Sequence, residues 1–356
     1  MKQTAITTTD AAQIAVMNDI MQQAGQAANE QAARGIFADH TARKADNTIR
    51  RKIADLALFE SFLQSVSVPA TGLYDNPGAW RGITWGIVEG FKTWMLQQGY
   101  AIASINGRLS TVRTYAKIAA KAGAISAQES ILISSVQGYA SKEARHIDDK
   151  RRADGIQTRY SAQGKKAEAV TIPEDIAQAL KAQPDSPQGR RDGLIMCLLL
   201  DHGFRVEEVA ILTRKAFDMK AGTITFYRPK VNKTQTHEMT AATRSAARAY
   251  LKHAPADGIL WRKSSKGTGK LSSQLSETST TRAINKRVEL LGRHAGIEGL
   301  SPHDCRHYAA TYEARKNTPV DRLVDMFGWN SPAMAFRYIE AAHIANEGTA
   351  RLKAAQ

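Results

Sequence analysis

Ser301-Pro302-His303-Asp304-Cys305-Arg306-His307 opens the stretch on which the reading of this chain turns, and Gly328-Trp329-Asn330-Ser331-Pro332 and Phe336-Arg337-Tyr338-Ile339 complete it. Ser before Pro marks a helix start. The hydroxyl caps orphan backbone N–H groups, and proline sits where its own missing N–H does no harm. Thr318-Pro319 and Ser331-Pro332 repeat that grammar, and Gly328 is placed to end the helix between them. A helix begun at Ser301 brings His303, Arg306 and His307 onto one face by the i, i+3, i+4 rule. Upstream, Gly203-Phe204-Arg205-Val206-Glu207-Glu208 sets Arg205 and Glu208 three residues apart on another helical face.

These residue types suit phosphate chemistry. A phosphodiester carries negative charge that repels nucleophiles, so that charge must be clamped before a phenol can attack. Arginine stays charged and presents a planar fork of donors, and two such forks can grip the non-bridging oxygens. Glu208 can hold Arg205 or the neighbouring histidine, although a surface helix carboxylate reads the same way. Tyrosine is a covalent nucleophile when its phenol is positioned and deprotonated. A lone tyrosine on a helix is more often core or surface, so the assignment of Tyr338 rests on its company. The Trp329 indole N–H can donate to a phosphate oxygen while its ring packs the site. His303 and His307 have no carboxylate or thiolate motif beside them that would make a metal site.

Composition agrees. Lys and Arg outnumber Asp and Glu by 49 to 34, a formal net charge of +15, which fits a polyanionic partner, nucleic acid ahead of membrane. The two cysteines, Cys197 and Cys305, make no disulfide framework, and Cys197 lies in an apolar run, which suggests core and a reducing, cytoplasmic setting. No leader-like or membrane-length apolar run is visible.

The chain divides into five segments on this reading. Residues 1–43 are Ala/Gln-rich, with Ile14, Met17 and Met21 at helical spacing after Thr9-Asp10: one amphipathic helix or a mobile arm. Residues 44–140 carry helical stripes at Ile49–Leu63, Trp80–Leu96, Ile105–Ile118 and Ile131–Tyr139, a small bundle. Arg108, Arg113, Lys117 and Lys121 give its third helix a basic flank, either a solvated face or a phosphate contact. Residues 141–170 read as a basic linker, with Arg151 and Arg152 along a DNA backbone. Residues 171–340 open with a capping-box pattern at Thr171-Ile172-Pro173-Glu174 and an apolar helix over 190–201. Alternating strands follow at 223–227 and 236–240, then a Ser/Thr/Gly-rich surface loop over 264–281. Residues 341–356 form a tail. The expected fold is mainly α with a small antiparallel sheet.

Taken in order, Arg205, His303-x-x-Arg306, Trp329 and Tyr338 resemble the tyrosine recombinase (phage integrase) family. Trp329 stands where many members have His and the Cre-like members have Trp. His202 and Cys305 depart from the usual Thr and Leu. The resemblance spans about residues 44–345. It implies a core-binding helical domain, an α+β catalytic domain over 171–340, and a lysine on a β-turn. Lys233 in Asn232-Lys233-Thr234 matches that lysine best, with Lys230 as rival. It further implies double-stranded DNA with inverted repeats as partner, no metal or other cofactor, and a protein that is monomeric when free. On two sites it would be a tetramer, with its tail donated to the next protomer. A type IB topoisomerase-like or telomere-resolving enzyme, and a non-catalytic DNA-binding protein on the same scaffold, are the alternatives.

Overall fold

The computed structural model describes residues 8–156, 170–265, 270–274 and 277–342. The chain divides into two compact units, Met1–Lys165 and Lys166–Gln356.

The first unit is helical: α1 (Thr8–Ala42), α2 (Asp46–Ser65), α3 (Trp85–Gln97), α4 (Ile102–Lys121), α5 (Ala127–Ser135) and α6 (Ser141–Ala153). α4 is the central helix, burying Ile105, Leu109, Val112, Tyr115 and Ala119. Leu56, Phe59 and Leu63 on α2 face it, whereas Ile53 at the end of the expected stripe is exposed. Phe59 meets Phe91 of α3 with ring centroids 4.9 Å apart. Each such buried side chain contributes about 1.5–3 kcal/mol. The helix expected from Trp80 starts at Trp85 instead. Pro77–Trp80 is a single 3-10 turn capped by Asn76, and Trp80 is fully buried, its Nε1–H donating to the Leu73 carbonyl (2.8 Å). The fourth helix begins earlier than its apolar stripe suggests, because Ser126 caps it by accepting from the Glu129 N–H (3.1 Å).

The N-terminal segment is the helix α1. Phe37 near its end packs edge-on against Tyr115, while Val16, Met17, Ile20 and Met21 are exposed. The linker expectation needs correction over residues 141–153, which form α6. Ala144 and Ile147, three residues apart, pack on the bundle; Lys142, Lys150 and Arg152 are exposed, while Arg151 shares the packed face. Residues 157–169 of that stretch lie outside the described residues.

The second unit is built on α8 (Pro187–Leu200), which follows α7 (Glu174–Lys181) and buries every residue from Leu194 to Leu200. Ser186 caps α8 through the Gly189 N–H, whereas the capping box expected at Thr171 does not form: α7 starts at Glu174 with Pro173 as its cap residue. The short α9 (Val206–Ala210) leads into a three-stranded antiparallel sheet, β1 (Phe217–Asp218), β2 (Thr223–Arg228) and β3 (Lys233–Glu238), in the order β1-β2-β3. Ile224, Phe226 and Arg228 point inward from β2, and the register pairs Phe226 with Gln235 and Arg228 with Lys233. After α10 (Ala241–Leu251), the expected surface loop carries structure of its own. β4 (Arg262–Ser264) and β5 (Leu271–Gln274) pair antiparallel, and α11 (Glu277–His294) begins within it. Ser and Thr suit a two-stranded ribbon as well as a loop, so composition alone does not separate the two. α12 (Pro302–Arg315), α13 (Val320–Phe327) and α14 (Pro332–Ala342) complete the unit. The fold is mainly α with a small antiparallel sheet, as expected. Among the described residues no helix is long and apolar enough to cross a membrane.

Candidate active site

Two glycines bring the site's segments together. Gly203 has φ +59°, and a Cβ there would stand 2.3 Å from the Phe327 ring. Gly328 ends α13 at φ +56°, and a Cβ there would meet the Arg228 side chain at 2.8 Å. Left-handed backbone with this little space admits glycine alone. The Arg205 segment and the α13–Trp329 turn are thereby pressed against one core.

Arg205 is the cap residue of α9, and Glu208 folds back on it. Glu208 Oε2 accepts the Arg205 backbone N–H (2.9 Å) and Oε1 accepts its Nη1–H (2.8 Å). Glu208 is 1% exposed, so it is no surface carboxylate. Its second partner is not a histidine but Arg228, whose Nη1 donates to both carboxylate oxygens (2.9 Å each). Arg306, 5% exposed, donates to the Gly203 carbonyl (2.5 Å) and to the Phe327 carbonyl. Burial pulls its pKa down to about 9, and Arg205 adds to the effect. Ser301 caps α12 in a reciprocal box with Asp304, which fixes where Arg306 leaves the helix.

Tyr338 on α14 is 9% exposed. Its Oη lies 2.9 Å from His307 Nδ1, and its ring stacks on Trp329 with centroids 5.2 Å apart and planes 7° apart. Trp329 stacks in turn on Phe327 at 4.9 Å. Burial raises the phenol pKa, and Arg306 and Arg337 pull it back. Burial also lowers the His307 pKa, favouring the neutral imidazole that can take a phenol proton. His303 is exposed and meets His307, Nε2 to Nε2, at 3.0 Å. The histidine at the tyrosine is therefore His307, whereas the resemblance points to His303 of the His-x-x-Arg pair. Lys233 opens β3 after Asn232, itself at φ +48°, and its Nζ donates to Asp325 Oδ1 (2.8 Å). Lys230 is exposed in the preceding 3-10 turn.

Sequence reading missed Arg228, Gln235 and Asp325. The signal for Arg228 was present: it continues the inward alternation Ile224, Phe226, Arg228, and a cation at a core-facing strand position demands partners. Asp325 and Gln235 are ordinary in sequence and acquire their roles only when α13 meets the hairpin.

In the first unit, Lys117 and Lys121 are exposed on α4. Arg152 is exposed and pairs with Asp149 on its own helix. The other arginines of the expected basic face carry internal contacts. Arg113 donates to the Val136 carbonyl (3.1 Å), and Arg108 lies over the Tyr100 ring and 3.8 Å from Asp55. Arg151 is corrected outright: it is 4% exposed, donates to the Tyr100 carbonyl (2.8 Å) and pairs with Asp148, tying α6 to the bundle. Of the tail, Ala341 and Ala342 end α14, with Ala342 packed on the core of α12–α14, and residues 343–356 lie outside the described residues.

Residues 170–343 match the phage integrase family. That region belongs to the phage integrase family, and the chain is a tyrosine site-specific recombinase. Among solved structures it is similar to the Tn1549 transposon integrase in complex with a circular intermediate DNA. That likeness has 13% identity and a TM-score of 0.59, covering 91% of this chain and 99% of the other. A lambda integrase dimer bound to a core site is similar at 14% identity and a TM-score of 0.57, over 86% of this chain and 93% of that one. XerH recombinase bound to a palindromic difH substrate follows at 15% identity and a TM-score of 0.50, over 77% and 72%. At these identities the likeness establishes the fold. No curated protein matches the chain.

Proposed function

We propose that this recombinase binds double-stranded DNA at a specific core site flanked by inverted repeats and exchanges strands through a 3′-phosphotyrosine. Tyr338 Oη attacks the scissile phosphorus and displaces the 5′-oxygen. The phenol proton passes to His307 Nδ1, with His303 next in line. Arg205 and Arg306 stabilise the charge that builds on the non-bridging oxygens, and Trp329 donates from its indole N–H. Lys233 protonates the leaving 5′-oxygen. Attack by a 5′-hydroxyl from a second duplex reverses the step and regenerates the phenol, so bond energy is conserved. Lys117 and Lys121 contact flanking phosphates. The protein is monomeric when free and acts as a cyclic tetramer on two sites through a Holliday junction, with its C-terminal tail donated in trans. The observation that carries this reading is one phenol, 9% exposed, set 2.9 Å from the His307 imidazole and near the buried Arg306.

A nicked duplex taken from the DNA that flanks the encoding gene, chosen for an inverted repeat, tests it. The wild type should form an adduct that survives denaturing electrophoresis. Tyr338→Phe, which removes only the nucleophilic oxygen, should form none while binding the duplex normally. An adduct with Tyr338→Phe would assign the nucleophile elsewhere.

A further inference from the structure

Arg228 is fully buried, yet its donors are occupied in three directions. Nη1 donates to both oxygens of Glu208 (2.9 Å), Nε to Gln235 Oε1 (2.6 Å) and Nη2 to the Met326 carbonyl (2.6 Å). Each contact reaches a segment that carries part of the site. Glu208 grips Arg205. Gln235 lies two residues beyond Lys233 on β3, and its Nε2 donates to the Asp325 carbonyl (2.6 Å). Met326 precedes Phe327, whose carbonyl accepts from Arg306, and the Arg228 side chain itself presses on Gly328, just before Trp329. The guanidinium also lies 4.7 Å above the Phe226 ring, which closes its remaining face.

We infer that Arg228 is a positioning residue: a third arginine that touches no substrate and sets Arg205, the Lys233 hairpin and the Trp329 turn in mutual register. This rests on the strand-cleavage reading above. Two features make the role specific. A buried carboxylate shared between two guanidinium groups is held centrally between them, so Glu208 holds Arg205 without drawing it fully out of the site. A planar fork also fixes directions that a lysine's point charge cannot.

The test uses the full-length protein and the nicked duplex, with single-turnover cleavage, duplex affinity and thermal midpoint measured together. Arg228→Lys should fold, bind the duplex within about threefold of wild type, and cleave some ten to a hundred times more slowly. Gln235→Leu, which keeps the arginine, should lose cleavage to a lesser degree with affinity unchanged. The split between affinity and cleavage at an unchanged thermal midpoint separates positioning from bulk stability. Wild-type cleavage by folded Arg228→Lys and Gln235→Leu overturns the inference. Equal losses of affinity and cleavage overturn it as well. A wild-type protein that forms no adduct would instead sink the cleavage reading itself.

Discussion

Arg306 and Lys233 are both cations assigned to one phosphate, and the protein holds them in opposite ways. Arg306 sits on the floor of the site, 5% exposed, with two of its donors spent on backbone carbonyls from separate segments. Lys233 stands on the hairpin rim with its side chain 56% exposed, paired to an Asp325 that is 61% exposed. Carbonyls orient a guanidinium without neutralising it, so Arg306 keeps its full charge and needs no rearrangement when substrate arrives. A carboxylate neutralises the lysine, which must be released before it can give its proton to anything else. On the proposed strand-cleavage reading, charge stabilisation is preorganised on the floor and proton delivery at the rim waits for DNA.

The sharpest way to break this contrast is at the floor. Arg306→Ala should lower single-turnover cleavage by about a thousandfold, because it removes a desolvated donor aimed at developing charge. It also strands the buried Gly203 and Phe327 carbonyls, so the thermal midpoint should drop. Supplying methylguanidine to the Arg306→Ala protein should restore part of the rate, since the carbonyls that oriented the side chain remain. If the variant cleaves within tenfold of wild type, the floor is not where charge is stabilised.

At the rim the expected loss is smaller and of a different kind. Lys233→Ala should slow cleavage about a hundredfold, within the range of general-acid contributions. A substrate with a 5′-bridging sulfur should restore it, because a thiolate leaves without a proton. Rescue by sulfur at Lys233→Ala but not at Arg306→Ala would confirm that the two cations act on different atoms. If Lys230→Ala shows the rescue instead, the general acid is misassigned.

The contrast also explains what could be seen in the sequence. Helix starts at Ser301 and Ser331 and the strand alternation of β2 were legible because they depend on local backbone chemistry. Arg205, Arg306, Trp329 and Tyr338 were legible because their spacing survives any arrangement of the helices between them. The roles of His303 and His307 were not. Both lie on one helical face, and which of them meets Tyr338 depends on how α14 crosses α12. Arg151 and Arg113 looked like phosphate ligands because composition cannot tell a cation on a surface from one that caps a carbonyl inside the bundle. Arg228 was passed over for the opposite reason: it only continues the inward alternation of Ile224 and Phe226, and the partners that give it a role, Glu208 and Gln235, come from other elements.

Asp325 gives the finest test of the comparison. Lys233 holds its carboxyl below the usual carboxylate range, through the hydrogen bond first and the nearby charge after. The pair is therefore intact at neutral pH and lost only as pH falls through that lowered value. An exposed pair of this kind is worth about 0–1 kcal/mol, which bounds the effect of removing it at roughly fivefold. Asp325→Asn keeps the shape and the backbone carbonyl that Gln235 uses, and removes the charge that competes with DNA for the lysine. Cleavage at low ionic strength should rise by up to about fivefold, and the gain should shrink at high salt, where the pair is already screened. A loss of tenfold or more in Asp325→Asn would mean that the carboxylate orients Lys233 during the reaction, and the rim would then be as preorganised as the floor.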